Sequence, residues 1–465
     1  MGGDRMLLGL ALERFAERAP VCVVVRGLLE AALNPRDLDD LFREVADRQY
    51  TQDLLFSTCV DLMGSVVCRT HRSLNAAYRS SPTAIGVSIQ ALYGKIAGVE
   101  PQTSAGLVRH TAVRLEAVIR EMRGELPPRV PGYRVKVLDG NHLARTERRL
   151  KPLRDVAAGP LPGQTLVVYD PSLGLAIDVV CGEDGHAQER ARMAPILAGV
   201  SAPDLWVADR NFCTTGILFG IAGRGGAFAI RQHASTLTWT RESPRRSAGH
   251  CETGALFEQD LWLEDGDGTT SKVRRVTLVL DGPTRAKETE VHVLTNLPAS
   301  ISAATVMTLY RTRWKIEGLF QELTTILKCE VNTLGYPKAA LFGFCVALAT
   351  SNVFATVRAA LRAAHGASKV EAEVSNYYLA DEIVATFRGL AIAVPAEAWT
   401  EVTAWTVPTL AQWLVALAKT VKLSRYRKSP RGPKKPRARR TRFASKKHIS
   451  TAKLLTAEKG KTVDP

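Results

Sequence analysis

Two aspartates end short apolar runs: Asp139 follows Val135-Lys136-Val137-Leu138, and Asp209 follows Leu205-Trp206-Val207-Ala208. Both runs read as buried strands. In α/β sheets ligands collect beyond the carboxyl ends of strands, so carboxylates there are placed to hold a hard cation. A single strand-ending Asp more often caps a turn. Two of them, in the order three strands, helix, strand, point instead to a metal pair. A third carboxylate is offered by Glu317 in Tyr310-Arg311-Thr312-Arg313-Trp314-Lys315-Ile316-Glu317. On one continuous helix Tyr310, Arg313 and Glu317 would fall within about 60° of one another. That face would carry an aromatic ring, a guanidinium and a carboxylate. A surface Arg–Glu pair at this spacing is an equally common use of the same residues.

The elements that must position these groups follow from periodicity. Residues 1 to about 128 read as mostly helical, over Asp37 to Val67 and Pro82 to Met122;. A helix-turn-helix around Gly98–Gln102 competes there with an ordinary helical layer. From Gly132 short β-rich runs take over. Leu166–Tyr169 and Leu175–Val180 flank Asp170-Pro171-Ser172 and predict a hairpin. His186–Leu197 and Thr214–Ile221 predict helices, and Gly226–Arg231 one more strand. A second β-rich block, His233 to Pro298, holds four expected strands: Leu237–Thr240, Ala255–Leu263, Val273–Leu280 and Glu290–Thr295. Helical texture resumes from Ser302 through Ala364 and continues with breaks to about Ala418. The uncharged run Ala339 to Val357 is long enough for a membrane span, but Gly343, Thr350, Ser351 and Asn352 favour a buried helix.

Charge and cysteine content narrow the function classes. The 465 residues carry 62 Lys+Arg against 46 Asp+Glu, a formal charge of +16. Such a surplus calls for a polyanionic partner, most often nucleic acid. Its distribution is uneven. From Lys419 onward there are 17 basic and 2 acidic residues, while the preceding 418 residues are nearly balanced at +1. Arg425–Lys447 mixes Arg, Lys and Pro with almost nothing apolar, and predicts disorder until it meets an anion. The eight cysteines show no CxxC pair, which argues against a zinc ribbon or a disulfide framework and suggests a reducing cytoplasm;. No signal peptide is expected.

The Y-x2-R-x3-E pattern, with Leu-Asp-Gly-Asn-His at Asp139 and Ala-Asp-Arg-Asn-Phe at Asp209, resembles the DDE transposases of bacterial insertion sequences. It is most similar to insertion-sequence family four, which carries a YREK signature and a β-rich insertion before the glutamate helix. The segment Cys329-Glu330-Val331-Asn332-Thr333-Leu334-Gly335-Tyr336-Pro337 and the apolar run after it are also similar to that group. The resemblance covers about residues 130 to 360. It implies an α/β fold: an RNase H-like catalytic core interrupted by a β-rich insertion, with helical N-terminal and C-terminal regions. The implied divisions are a helical DNA-end-binding region at 1–128, core segments at 129–232 and 301–365, the insertion at 233–300, a helical region at 366–418 for dimerisation, and a basic tail at 419–465.

The same resemblance implies Asp139, Asp209 and Glu317 as catalytic, metal-holding residues, with Mg2+ or Mn2+, as two ions, for in-line phosphoryl displacement. It implies double-stranded DNA as partner, both as terminal inverted repeats and as target, and a homodimer in a synaptic complex, with no membrane involved. Tyr310 and Arg313 would hold the DNA backbone near the scissile phosphate. Arg210 is a further phosphate contact, with a turn role equally open, and Arg145, Arg148 and Arg149, near Lys151 and Arg154, form an expected DNA-facing loop;. Trp239 and Trp262 in the insertion are candidates for wedges against an unstacked base, or ordinary core residues. His142 is a candidate neighbour of the carboxylates. A metal-dependent nuclease without joining, and a non-catalytic DNA-binding descendant, are the competing readings.

One position departs from the signature. The family's lysine falls seven residues after the glutamate, where this chain has Thr324. Lys328 lies on nearly the same helical stripe one turn further on, and is expected to reach back to the same phosphate. Thr324 as a weaker donor is the alternative. In an end-cleavage assay Lys328→Ala is expected to lose activity and Thr324→Ala to keep most of it; a Lys328→Ala variant that keeps full activity removes Lys328 from the site.

Overall fold

The computed structural model describes residues 10–49, 53–80, 85–143, 146–147, 150–233, 237–284, 287–327, 329, 331, 333–429 and 448–461. Its strands are β1 (Arg134–His142), β2 (Gly159–Leu161), β3 (Gln164–Asp170), β4 (Leu175–Gly182), β5 (Asp204–Ala208), β6 (Ala227–Arg231), β7 (Trp239–Glu242), β8 (Arg246–Cys251), β9 (Gly254–Glu264), β10 (Thr270–Leu280), β11 (Glu290–Thr295) and β12 (His448–Ser450). Ten of them join one mixed sheet in the order β4-β3-β1-β5-β6-β11-β10-β9-β7, with β8 also paired to β9. The first three are antiparallel, and β5 and β6 then run parallel to β1. The strands of the 233–300 block continue this sheet, because β11 pairs antiparallel with β6. The fold is thus mixed α/β, with many helices around one large sheet.

Alternation along the strands fixes which side each residue faces. Val135, Val137, Leu205, Val207, Ala227 and Ala229 join one core, while Leu138, Trp206, Ala208, Phe228 and Ile230 join the core on the opposite face. The second face is covered by the helices Met193–Ala198 and Thr215–Ala222, through Met193, Ile196, Ile217, Leu218 and Ile221. The first face lies under Phe56–Val67, Pro101–Glu121 and Pro337–His365. The last of these contains the long uncharged run. It passes the length and hydropathy test for a membrane span, and 89% of its most apolar window is buried in the protein. Its polar residues have local tasks. Asn352 donates to the Ala176 carbonyl and accepts from the Ala176 N–H, both at 2.8 Å. These bonds satisfy Ala176 on the outer edge of β4, which pairs with no further strand among the described residues;.

A third core joins helices from the first 32 residues to residues 353–426. Helix Pro20–Ala32, with Val21 to Val25 all buried, packs with Asn376–Ala393, Val407–Thr420 and the far end of Pro337–His365. The expected pair of short helices around Gly98–Gln102 is instead Ile89–Gly98 followed by the 21-residue helix Pro101–Glu121. Pro101 starts the second helix at a position where its missing N–H costs nothing.

The C-terminal region corrects one expectation of disorder. Residues 425–429 are ordered: Leu423 and Tyr426 enter the third core, and Arg425 pairs with Glu382 at 3.1 Å. Two apolar side chains anchor a segment whose average composition is basic. Beyond 430–447, which lie outside the described residues, β12 pairs in parallel with β2, and the helix Thr451–Lys461 follows. Tyr426 is only 2% exposed. Tyr426→Ala is therefore expected to cost about 3 kcal/mol in urea denaturation; an unchanged midpoint and slope would contradict this anchoring.

Candidate active site

Strand register brings the two aspartates together. β1 and β5 pair in parallel up to Leu138 opposite Ala208, so Asp139 and Asp209 follow the last paired residues of adjacent strands at the same end. Asp139 does not end its strand, as the sequence suggested. β1 runs on to His142 because its other edge stays paired with β3, Asp139 facing Val167. Asp209 does end its strand, and its Oδ1 accepts from the Asn211 N–H at 2.8 Å, capping the short 3-10 helix Arg210–Phe212. The turn-capping role and a place beside Asp139 thus coexist in one residue.

Glu317 arrives on the helix Trp314–Thr325. The continuous helix expected from Tyr310 to Glu317 is broken: Ala303–Arg311 ends and a new helix begins at Trp314. Around the break, the N–H groups of Thr312 and Arg313 turn to the carbonyls three residues back, Leu309 and Tyr310. The backbone stays helical at Thr312 and Arg313, and the break is a change to this tighter bonding pattern made without Pro or Gly;. Tyr310 therefore reaches the site from the preceding helix, buried against the guanidiniums of Arg231 and Arg313. Burial raises its phenol pKa, although those two cations act against the shift.

Arg313 joins the carboxylates. Its Nη1 donates to Asp139 Oδ2 at 2.9 Å and its Nη2 to Glu317 Oε1 at 2.6 Å. The Arg313 and Asp139 side chains are 11% and 14% exposed, and that of Glu317 is 41% exposed. Burial pushes the Asp139 carboxyl up to about 7; Arg313 and the Gly140 N–H pull it down, and Asp209 and Glu189 push it further up. Burial thus outweighs one ion pair when two other carboxylates stand nearby.

Glu189 is the functional candidate that sequence reasoning missed. It begins the 3-10 helix Glu189–Arg192, accepts from Asn211 Nδ2 at 2.5 Å, and lies 4.0 Å from His142 Nδ1. A Cβ on Gly140 would meet Glu189 Oε1 at 2.1 Å, so any other residue after Asp139 would push this fourth carboxylate aside. The glycine was the one signal in the sequence. Arg231 and Glu288, paired at 2.6 Å, were missed as well, and Arg210 reaches the same Glu288 at 3.5 Å.

Thr324 turns its hydroxyl back to the carbonyls of Phe320 and Gln321. Lys328, Arg145, Arg148 and Arg149 lie outside the described residues, while Lys151 and Arg154 are exposed on a one-turn helix. Trp239 and Trp262 belong to none of the cores; Arg275 covers the first ring at 5.4 Å, and Arg241 covers the second at 4.6 Å.

Among the described residues no group of three or more His, Cys, Asp and Glu has the geometry to hold a metal ion. The donors are of the right class, since carboxylate oxygens on neighbouring strand ends suit Mg2+ or Mn2+. Arg313 now satisfies two of them. A cation bound there would also keep Asp139 ionised against its burial.

Residues 163–349 match the family model described as the transposase DDE domain. The matched span holds Asp209, Tyr310, Arg313 and Glu317, and begins 24 residues after Asp139. This match supports a DDE transposase. No curated protein matches the chain.

The Asp139 environment carries a pH signature. Folding raises its pKa from 3.8 to about 7, so the folded chain binds this proton more tightly. The contribution to stability is full at low pH and falls as pH rises to about 7. In metal-free buffer, Asp139→Asn should flatten the decline in melting temperature between these values. An identical slope in wild type and variant would contradict the assignment.

Proposed function

We propose that the chain is a DDE transposase that cuts DNA at the inverted-repeat ends of its own element and joins the freed ends to target DNA. The observation that carries this reading is the convergence of Asp139, Asp209 and Glu317: two carboxylates at the same end of adjacent parallel strands, and a third tied to the first through Arg313. The strand order β4-β3-β1-β5-β6, three antiparallel strands followed by two parallel ones, supports an RNase H-like core. The YREK-type residues Tyr310, Arg313 and Glu317 support the insertion-sequence family four subtype.

In this reading Asp139, Asp209 and Glu317 hold Mg2+ or Mn2+, as two ions, which supply charge stabilisation at the reacting phosphate. Arg313 exchanges its carboxylate partners for phosphate oxygens when DNA arrives, using the same planar fork. Tyr310 holds that guanidinium from the side, and Arg210 grips the backbone beyond Asp209. Water attacks phosphorus in line, the bond to the 3′ oxygen breaks, and a 3′-hydroxyl is freed. That hydroxyl then attacks a target phosphorus in line, the target's own bond from phosphorus to its 3′ oxygen breaks, and a target 3′-hydroxyl leaves. Lys328 and the loop with Arg145, Arg148 and Arg149 add phosphate contacts.

The regional roles follow the same reading: 1–128 binds DNA ends, 129–232 and 301–365 form the core, 233–300 is its β-rich insertion, 366–418 supports a homodimer in the synaptic complex, and 419–465 grips DNA regardless of sequence. The tail's share of affinity should decline as salt rises. The protein would act in the cytoplasm, on the nucleoid. The competing readings remain a nuclease that cuts without joining and a DNA binder that does neither.

Labelled inverted-repeat DNA from the flanks of the gene, incubated with the protein and Mg2+, separates the three. Cleavage with joining is expected, and Glu317→Gln should lower both by at least about 1,000-fold. Cleavage without joining would favour the nuclease. Activity that survives Glu317→Gln would overturn the site.

A further inference from the structure

Behind the helix that carries Glu317 lies a cavity of about 810 Å³. Lys315, Gly318, Glu322 and Thr325 line it from one face of that helix, and Glu317 does not. Its opposite wall comes from the long helix Pro337–His365, through Arg358 and Arg362, and from the start of Asn376–Ala393, through Tyr377 and Tyr378. The volume falls in the range of small-molecule sites.

The charges in this cavity are unevenly matched. Arg358 is fully engaged, donating to Glu371, Asn376 and the carbonyls of Val370 and Val374. Arg362 is not. It is 6% exposed; its Nε donates to the Gly124 carbonyl at 2.6 Å and its Nη1 to Glu371 at 3.3 Å. Its Nη2 is buried with no hydrogen-bond partner among the described residues. Lys315 has no carboxylate within ion-pair distance among the described residues; burial, Arg129, Arg362 and Arg358 lower its pKa, while the more distant Glu371 acts against the shift. Glu371 is already shared by two arginines. Glu322 accepts from Asn376, and burial raises its pKa, which weakens it as a counter-charge.

A buried guanidinium nitrogen without an acceptor is costly unless something supplies one. At the rim, Tyr377 and Tyr378 expose 54% and 38% of their surface, with ring centroids 5.6 Å apart. We infer that this cavity binds a nucleotide phosphomonoester, its phosphate accepting from Arg362 Nη2 and Lys315 Nζ and its base stacking on the more exposed ring, Tyr377, which Tyr378 meets edge-on at 76°. The ligand is either a free mononucleotide or the 5′-phosphorylated end of a DNA strand. A phosphate supplies several acceptors to fork-shaped and point cations, and an aromatic rim accepts any base by stacking. The inference rests on the cavity alone and stands apart from the carboxylate site.

Isothermal titration of the full chain in EDTA tests it, with dAMP and deoxyadenosine as probes. dAMP is expected to bind at least ten times more tightly than deoxyadenosine. Lys315→Gln, at a partly exposed position, should weaken dAMP at least tenfold, Arg362→Lys should do the same, and Tyr377→Ala should weaken it several-fold. A 5′-phosphorylated trinucleotide that displaces dAMP identifies a strand end as the natural occupant; failure to displace it identifies the free nucleotide. The absence of dAMP binding, or binding that Lys315→Gln and Arg362→Lys both leave unchanged, overturns the proposal. Neither result would bear on DNA cleavage at Glu317.

Discussion

The candidate site depends on one guanidinium. Asp139 sits where burial raises its pKa, with Asp209 and Glu189 adding to the rise. Arg313 is the group that keeps these carboxylates compatible, donating to Asp139 with one terminal nitrogen and to Glu317 with the other. Removing one member of a buried ion pair commonly costs 3–5 kcal/mol, because the remaining charge stays desolvated. The same planar fork that matches two carboxylates matches two phosphate oxygens. A single side chain thereby holds the site together without DNA and is suited to release it when a phosphate competes.

The rest of the fold serves that placement. The register of β1 against β5 sets Asp139 and Asp209 side by side, and alternation along both strands buries their other residues in the two cores. Just after the tightened turn at Thr312, Arg313 reaches Asp139 on β1 while Glu317 stays half open. Gly140 leaves room for Glu189, which Asn211 in turn ties to the loop after β5. The opposite face of the same helix opens onto the cavity at Lys315 and Arg362. One helix thus has two sides: Glu317 toward the carboxylates of the sheet, and Lys315 and Glu322 toward the cavity that Arg362 lines from the long helix.

Much of this was legible in the residues. The β3–β4 hairpin, β5, β6 and β11 follow from apolar runs bounded by turn residues, and their observed spans differ from expectation by a few residues. β8 was missed because Arg-Ser-Ala-Gly-His-Cys has no apolar alternation, its pairing with β9 being made by the backbone. The helix break was invisible because neither Thr312 nor Arg313 is a helix breaker. The order of residues 425–429 was hidden by composition, since Tyr426 and Leu423 anchor a stretch whose neighbours are basic. Glu189 illustrates the harder limit: it lies 50 residues from Asp139, in a segment that reads as an ordinary helix. Nothing local marks a carboxylate that becomes functional only through packing.

The central claim is that Asp139, Asp209 and Glu317 form one site. Titration of Mn2+ into the full chain, followed by the electron paramagnetic resonance of the free ion, tests it without DNA. The account predicts that wild type binds Mn2+ and that Asp139→Asn, Asp209→Asn and Glu317→Gln each weaken binding at least tenfold. Wild-type binding in Glu317→Gln, with loss in both aspartate variants, would contradict the claim and place the glutamate outside the metal site.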